Sequence, residues 1–130
     1  MRALLDAHSL IWAAAGDRRL SQTALATISD TGNQLFLSVV TAWEIAIKYS
    51  NGRLDLPGLD VADYVTSRVT AFGLHVLTIE LAHALRVAEL PLHHRDPFDR
   101  LLIAQAALDG LLLCTADSSI AAYDVDRLEA

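Results

Sequence analysis

His93-His94-Arg95-Asp96-Pro97-Phe98-Asp99-Arg100-Leu101-Leu102-Ile103-Ala104-Gln105-Ala106-Ala107-Leu108 changes character partway along its length. The first part is densely polar and the second almost wholly apolar. Pro97 suits the first position of a helix, where its missing N–H costs nothing. Asp96 then becomes the natural N-cap and Asp99 the third helical residue. Phe98, Leu101, Leu102, Ala106 and Leu108 follow as a broad helical stripe. The stretch predicts a buried helix over about 97–109, closed by Gly110, whose amino end carries two carboxylates. Helix amides favour negative charge there. A capping role accounts for Asp96 but not for Asp99, one step inside an apolar segment.

Outward from this helix, short apolar runs alternate with helical patterns. Leu111 to Thr115 reads as the clearest buried strand, followed by Asp117, a turn of helix at 118–122 and an edge strand at Tyr123 to Val125. Before the helix, Glu80 to Leu90 reads as a helix ending at Pro91. Leu74 to Leu77 is a strand, and residues 60–72 form an amphipathic helix closed by Gly73. Leu56-Pro57-Gly58 is a turn. Nearer the amino end, residues 2–6 and Leu35 to Leu37 are strands, and His8 to Ala15 is a helix stopped near Gly16. Ser21 caps a helix reaching about residue 31. Ser38 and Thr41 compete to cap the helix that carries Trp43, Glu44 and Ile45, since Glu44 stands at capping-box spacing from Thr41. Strands alternating with helices imply an α/β, three-layer fold with a mostly parallel central sheet between helical layers.

The 130 residues suit one domain, spanning 1–130. With 53% hydrophobic and 20% charged residues, disorder is excluded. The formal charge of -6 excludes a polycationic nucleic-acid coat or membrane binder, but not an enzyme whose local field differs from the total. Cys114 stands alone, so an internal disulfide and a thiolate zinc cluster are excluded, and a reducing, cytoplasmic setting is expected. Asp6 interrupts the apolar start, and no leader or membrane span is expected.

Four acids mark the pattern. Asp6 closes the first strand, Glu44 lies early in the helix after the second, Asp99 opens the central helix and Asp117 follows the fourth strand. Parallel strands send their carboxyl ends to one edge, where sites form. Four carboxylates gathered there repel one another. A hard divalent cation relieves this, and oxygen donors suit magnesium or manganese. Such an ion can orient water and offset charge on a phosphodiester transition state.

The chain resembles the PIN-domain ribonucleases, and within them the VapC-type toxins of bacterial toxin–antitoxin pairs. The resemblance rests on Leu4-Leu5-Asp6-Ala7-His8, on the run from Val40 to Lys48, on Leu90 to Ala106, and on Thr115-Ala116-Asp117. It covers nearly the whole chain. It implies that Asp6, Glu44, Asp99 and Asp117 form a metal pocket, with Asp6 and Asp99 its surest members and Thr115 arranging the last acid or its water. It implies metal-dependent RNA hydrolysis leaving a 5′-phosphate and a 3′-hydroxyl. A cognate antitoxin that covers the groove, a homodimer and a higher toxin–antitoxin complex are implied too. Ser118 and Ser119 stand where some relatives carry another acid, so the number of metal ions stays open.

Each residue also has a plainer reading. Asp6 can simply cap the next helix, and Glu44 can simply pair with Lys48 four residues on. Lys48 either orients Glu44 or is a solvated lysine. Asp96 is a cap or a support for the pocket. Thr115 is also an ordinary strand residue. His93 and His94 lack a zinc-type set and shape the loop or contact phosphate. Arg95 and Arg100 either engage an RNA backbone or serve as helix-flanking charges. His8 is a helix-start or wall residue; Trp12, Trp43, Tyr49, Tyr64 and Phe72 are core or interface aromatics. Two rival functions remain: a non-catalytic partner-binding module, and phosphotransfer through an aspartyl phosphate on Asp6, for which Lys48 is the only lysine in the chain.

Overall fold

Side chains alternate across the short strands and so divide the core into two halves. In β1 (Arg2–Leu5), Ala3 and Leu5 enter one apolar cluster and Leu4 the other. In β2 (Gln34–Ser38), Leu35 and Leu37 join the first and Phe36 the second. In β4 (Leu112–Thr115), Leu112 and Cys114 face the first and Leu113 the second. With β3 (His75–Leu77) and β5 (Arg127–Glu129), the strands form one sheet in the order β3-β2-β1-β4-β5, every neighbouring pair parallel. Leu5 lies opposite both Leu37 and Cys114, so β1, β2 and β4 end level with one another. This is a computed structural model, and it describes residues 1–56 and 58–130. The turn expected at Leu56-Pro57-Gly58 includes Pro57, which lies outside the described residues.

Helices cover both faces, giving the α/β three-layer architecture expected. α1 (Ala7–Ala15), α2 (Gln22–Ser29) and α4 (Val61–Phe72) pack on the first cluster through Leu10, Ala24, Ile28 and Val65. α6 (Pro97–Asp109) packs on the second through Leu102, Ile103 and Ala106. α3 (Val39–Ser50) serves both, with Ile45 in one and Val40 in the other. Leu102 and Ile103 are wholly enclosed; burial of each contributes about 1.5–3 kcal/mol. Leu102→Ala would cost about 2–5 kcal/mol through the cavity it leaves. α6 ends at Gly110 with φ 65°, a left-handed cap that a side chain resists. Among the described residues no helix is long and apolar enough to cross a membrane.

The structure decides one choice the sequence left open and differs from the sequence reading at four places. Ser38, not Thr41, caps α3: its Oγ accepts from Val40 N at 3.0 Å, while Thr41 is buried inside the helix. The second helix stops at Ser29, short of residue 31. The expected helix over 80–90 splits into α5 (Leu81–Arg86) and a 3-10 turn at Val87–Glu89. There the Arg100 guanidinium donates to the carbonyls of Val87 and Leu90, supplying partners that a longer α-helix would supply itself. Leu108 falls off the buried stripe and is 43% exposed. The last strand is Arg127–Glu129, not 123–125. Tyr123 is instead buried, and its hydroxyl accepts from His93 N at 3.1 Å and from Arg100 Nη1 at 3.2 Å. That ties residues 123–125 to the loop before α6 and leaves the next segment to pair with β4.

Candidate metal centre

Four helical segments begin at the edge where β1, β2 and β4 end; Ser38 caps α3, and an acid caps each of the other three. Asp6 caps α1, Asp96 caps α6, and Asp117 caps the 3-10 turn Ser118–Ala122. Capping and clustering are therefore one arrangement: the side chain that satisfies a helix start also faces the common edge. Glu44 reaches the same place from the second turn of α3, and Asp99 from the first turn of α6. Asp6, Glu44, Asp99 and Asp117 line one cleft of about 180 Å³. Asp96, Lys48 and the rings of His8 and His94 complete its wall.

The acids are held very differently. Asp6 is buried, and its Oδ1 accepts from Ser9 N at 2.8 Å and from Ser9 Oγ at 2.6 Å. Its Oδ2 accepts from Ala116 N at 3.2 Å, so β4 and β1 both fix its place. Glu44 is buried with its Oε2 2.6 Å from Lys48 Nζ. Asp117 Oδ1 accepts from Ser119 N at 2.9 Å and Ser119 Oγ at 2.7 Å. Its backbone N–H donates to Thr115 Oγ1 at 3.1 Å. Asp99 has one polar side-chain neighbour, His94, with Nε2 3.0 Å from its Oδ2. The same Nε2 lies 2.6 Å from Asp117 Oδ2. His94, Asp99 and Asp117 are thus a compact trio of potential ligand atoms.

Charge follows from this geometry. Burial pushes Asp99 up to about 7, Asp96 and Glu44 push the same way, His94 opposes and Asp6 adds to the rise. Burial also raises Asp117, but the Ser119 hydrogen bonds and His94 outweigh it and hold that carboxyl below its usual range. Five carboxylates face one lysine and the His94 ring in the cleft wall. Oxygen donors in excess of nearby cations fit a hard divalent ion; the lone cysteine, Cys114, is buried in β4 and offers no thiolate. Burial raises that thiol to about 11.

The supporting candidates separate. Asp96 Oδ1 accepts from Phe98 N at 2.9 Å, a cap in the cleft wall. Thr115 is wholly buried and orders the Asp117 backbone. Arg95 is exposed. Arg100 turns away from the acids and grips the loop behind α6, donating to Pro91 O at 3.0 Å and Val87 O at 3.1 Å. That is a structural clamp, and it corrects the reading in which Arg100 reaches an RNA backbone. Ser9, Ser119 and Gln105 were missed. Ser9 stands three residues after Asp6, a spacing that could have been read as a cap returning its partner. Gln105 is wholly buried; its Oε1 accepts from Ser38 Oγ at 2.6 Å and its Nε2 donates to Thr78 O. Only its polarity within an apolar run hinted at that tie.

The family model for the PIN domain matches residues 3–126. The chain belongs to the PIN-domain family. Ribonuclease VapC16 of Mycobacterium tuberculosis (strain ATCC 25618 / H37Rv) is 40% identical over 58 residues, 45% of this chain. The match spans 40% of the length of that relative. Among solved structures, VapBC2 from Rickettsia felis, bound to a promoter DNA fragment, superposes with a TM-score of 0.73 at 12% identity, covering 100% of this chain and 99% of that one. FitAcB from Neisseria gonorrhoeae gives 0.66 at 20% identity, covering 99% and 97%. At such identities these likenesses show the fold alone.

Proposed function

We propose that this PIN domain, residues 1–130, is an endoribonuclease of the VapC toxin type, dependent on magnesium or manganese. The observation that carries the reading is the meeting of Asp6, Glu44, Asp99 and Asp117 in one cleft, where the half-buried Asp99 carboxylate has the His94 ring as its close donor. Asp6 and Asp99, with Glu44 and Asp117, would hold the cation. Bound there, it supplies charge neutralisation at a phosphodiester and makes water easier to deprotonate.

The chain's own residues do the rest. Ser9 and Ala116 N fix the Asp6 carboxylate on its strand end. Lys48 keeps Glu44 in the wall through an i,i+4 ion pair. Asp96 closes the amino end of α6, so Asp99 enters the cleft from an ordered turn. His8 is exposed and lines the cleft, so the acids are reached from solvent on that side. No Ser–His or Cys–His nucleophile pair faces the cleft among the described residues, so hydrolysis without a covalent enzyme intermediate is the simpler chemistry. Phosphotransfer on Asp6 is disfavoured because Lys48 is engaged by Glu44 and both Asp6 oxygens accept hydrogen bonds.

A cognate antitoxin, a homodimer and a higher toxin–antitoxin complex in the cytoplasm complete the reading; the likeness to VapBC2 supports the antitoxin. The test uses antitoxin-free protein and a pool of structured RNAs with magnesium, manganese or chelator, and Asp99→Ala as control. Cuts that need metal, vanish in the variant and leave 5′-phosphate ends are the expected result. Authentic cellular RNA left intact by folded, metal-loaded protein would move the non-catalytic binding module ahead.

A further inference from the structure

His94 is the one cleft residue that touches two of the acids at once. Its Nε2 lies 2.6 Å from Asp117 Oδ2 and 3.0 Å from Asp99 Oδ2. The other ring nitrogen, Nδ1, accepts from Asp96 N at 3.0 Å. A nitrogen that accepts carries no proton, so the neutral ring bears its hydrogen on Nε2 and points it at the two carboxylates. In that form Nε2 has no lone pair to offer a metal. Asp117 makes the consequence sharper. Its Oδ1 accepts twice, from Ser119 N and Oγ, whereas Oδ2 faces His94 and the centre of the cleft's acid pair.

We propose that His94 is a positioning residue that plugs the acidic cleft: its Nε2–H holds Asp117 Oδ2 beside Asp99 Oδ2 and must leave before a divalent cation can sit between those two oxygens. The ring is short-tethered, one residue before Arg95 and two before the α6 cap, so the loop 93–96 carries the plug. Departure breaks the contacts to Asp117 and Asp99 and, if the ring turns, the one from Asp96 N. Cation and imidazole therefore compete for the same carboxylate oxygens. The inference rests on the metal reading of the cleft above, but not on RNA cleavage.

The test is manganese binding by calorimetry to the full chain without RNA, comparing wild type with His94→Ala and with His94→Gln, which keeps a side-chain donor. Loss of the plug makes binding about tenfold tighter in His94→Ala, the factor for one charge-assisted hydrogen bond no longer broken. His94→Gln falls between. The metal-stripped His94→Ala protein melts lower than wild type, because two close carboxylates lose their shared donor. On wild type, a side-chain nitrogen NMR spectrum shows His94 as the Nε2–H form without metal, and magnesium shifts its signals. Equal affinity in all three proteins, weaker binding in His94→Ala, or magnesium-insensitive His94 signals would overturn the plug while leaving the metal reading intact. Absence of manganese binding in wild type and both variants would overturn the metal reading and the plug with it. The NMR measurement decides the matter even if a variant fails to fold.

Discussion

The Asp6 corner and the Asp99 corner of one cleft are built on opposite principles. Asp6 accepts from Ser9 N, Ser9 Oγ and Ala116 N, so the fold itself stabilises its negative charge. Asp99 is half-buried, has the His94 ring as its close donor, and its carboxyl rises to about 7. The first acid is part of the scaffold. The second is a cost that the scaffold carries until a cation offsets it. Two acids of one proposed site are thus held in opposite ways, one by donors from the fold and one with few of them.

Removing each acid breaks the comparison most directly. Asp99→Asn and Asp6→Asn are both expected to lower metal-dependent RNA cleavage by more than about a hundredfold, since both remove a proposed ligand. Stability separates them. In chelator at pH 7.5, Asp99→Asn should melt higher than wild type, by a free energy of order 1–3 kcal/mol, because a strained charge is gone. Asp6→Asn should melt lower by a similar amount, because an amide cannot accept from all three of its donors. Urea or thermal unfolding of purified proteins checks both. Two losses of equal sign would mean that the corners are alike.

The Asp99 advantage carries a definite pH dependence. Its folded pKa of about 7 lies above the unfolded value of 3.8, so the folded protein binds the proton more tightly. This contribution favours the fold fully below about pH 4 and is lost as pH rises to about 7. The wild-type melting temperature should therefore fall relative to Asp99→Asn between those limits and run parallel to it above them. Magnesium should raise wild type and leave the variant nearly unmoved, by ligand linkage.

How much of this could be read in the chain follows the range of each interaction. α6, its Asp96 cap and its Gly110 stop were legible because all three are local signals. The convergence of four acids was legible because parallel strands share an edge. The final strand was misplaced because Tyr123 looks like a β residue, while its ring and hydroxyl are claimed by the loop before α6. The break after α5 was equally hidden, since its cause is Arg100, fourteen residues beyond Arg86. His94 had no pattern to betray it; its partners come from a helix turn and a distant strand end.

Arg100 and Asp99 are consecutive yet face opposite duties, and Arg100→Lys tests that division. A lysine, with three donors on one atom, cannot replace the guanidinium fork at Val87, Leu90, Pro91, His94 and Tyr123 together, so stability should fall by about 1–2 kcal/mol. Manganese affinity should stay within about twofold of wild type. A large change in affinity with unchanged stability would place Arg100 in the cleft after all.

Lys48→Met asks whether cations already in the wall compete with metal. The lysine is part-exposed but its partner Glu44 is buried, so loss of the ion pair should cost about 1 kcal/mol in chelator. Glu44 Oε2 is then released, and one positive charge leaves the neighbourhood of the cleft. Both changes draw a divalent ion inward, so manganese binding should tighten by about two- to threefold, less than for His94→Ala. Weaker binding instead would show that Lys48 aims Glu44, and that this corner is organised like Asp6, by the fold, instead of waiting for a cation like Asp99.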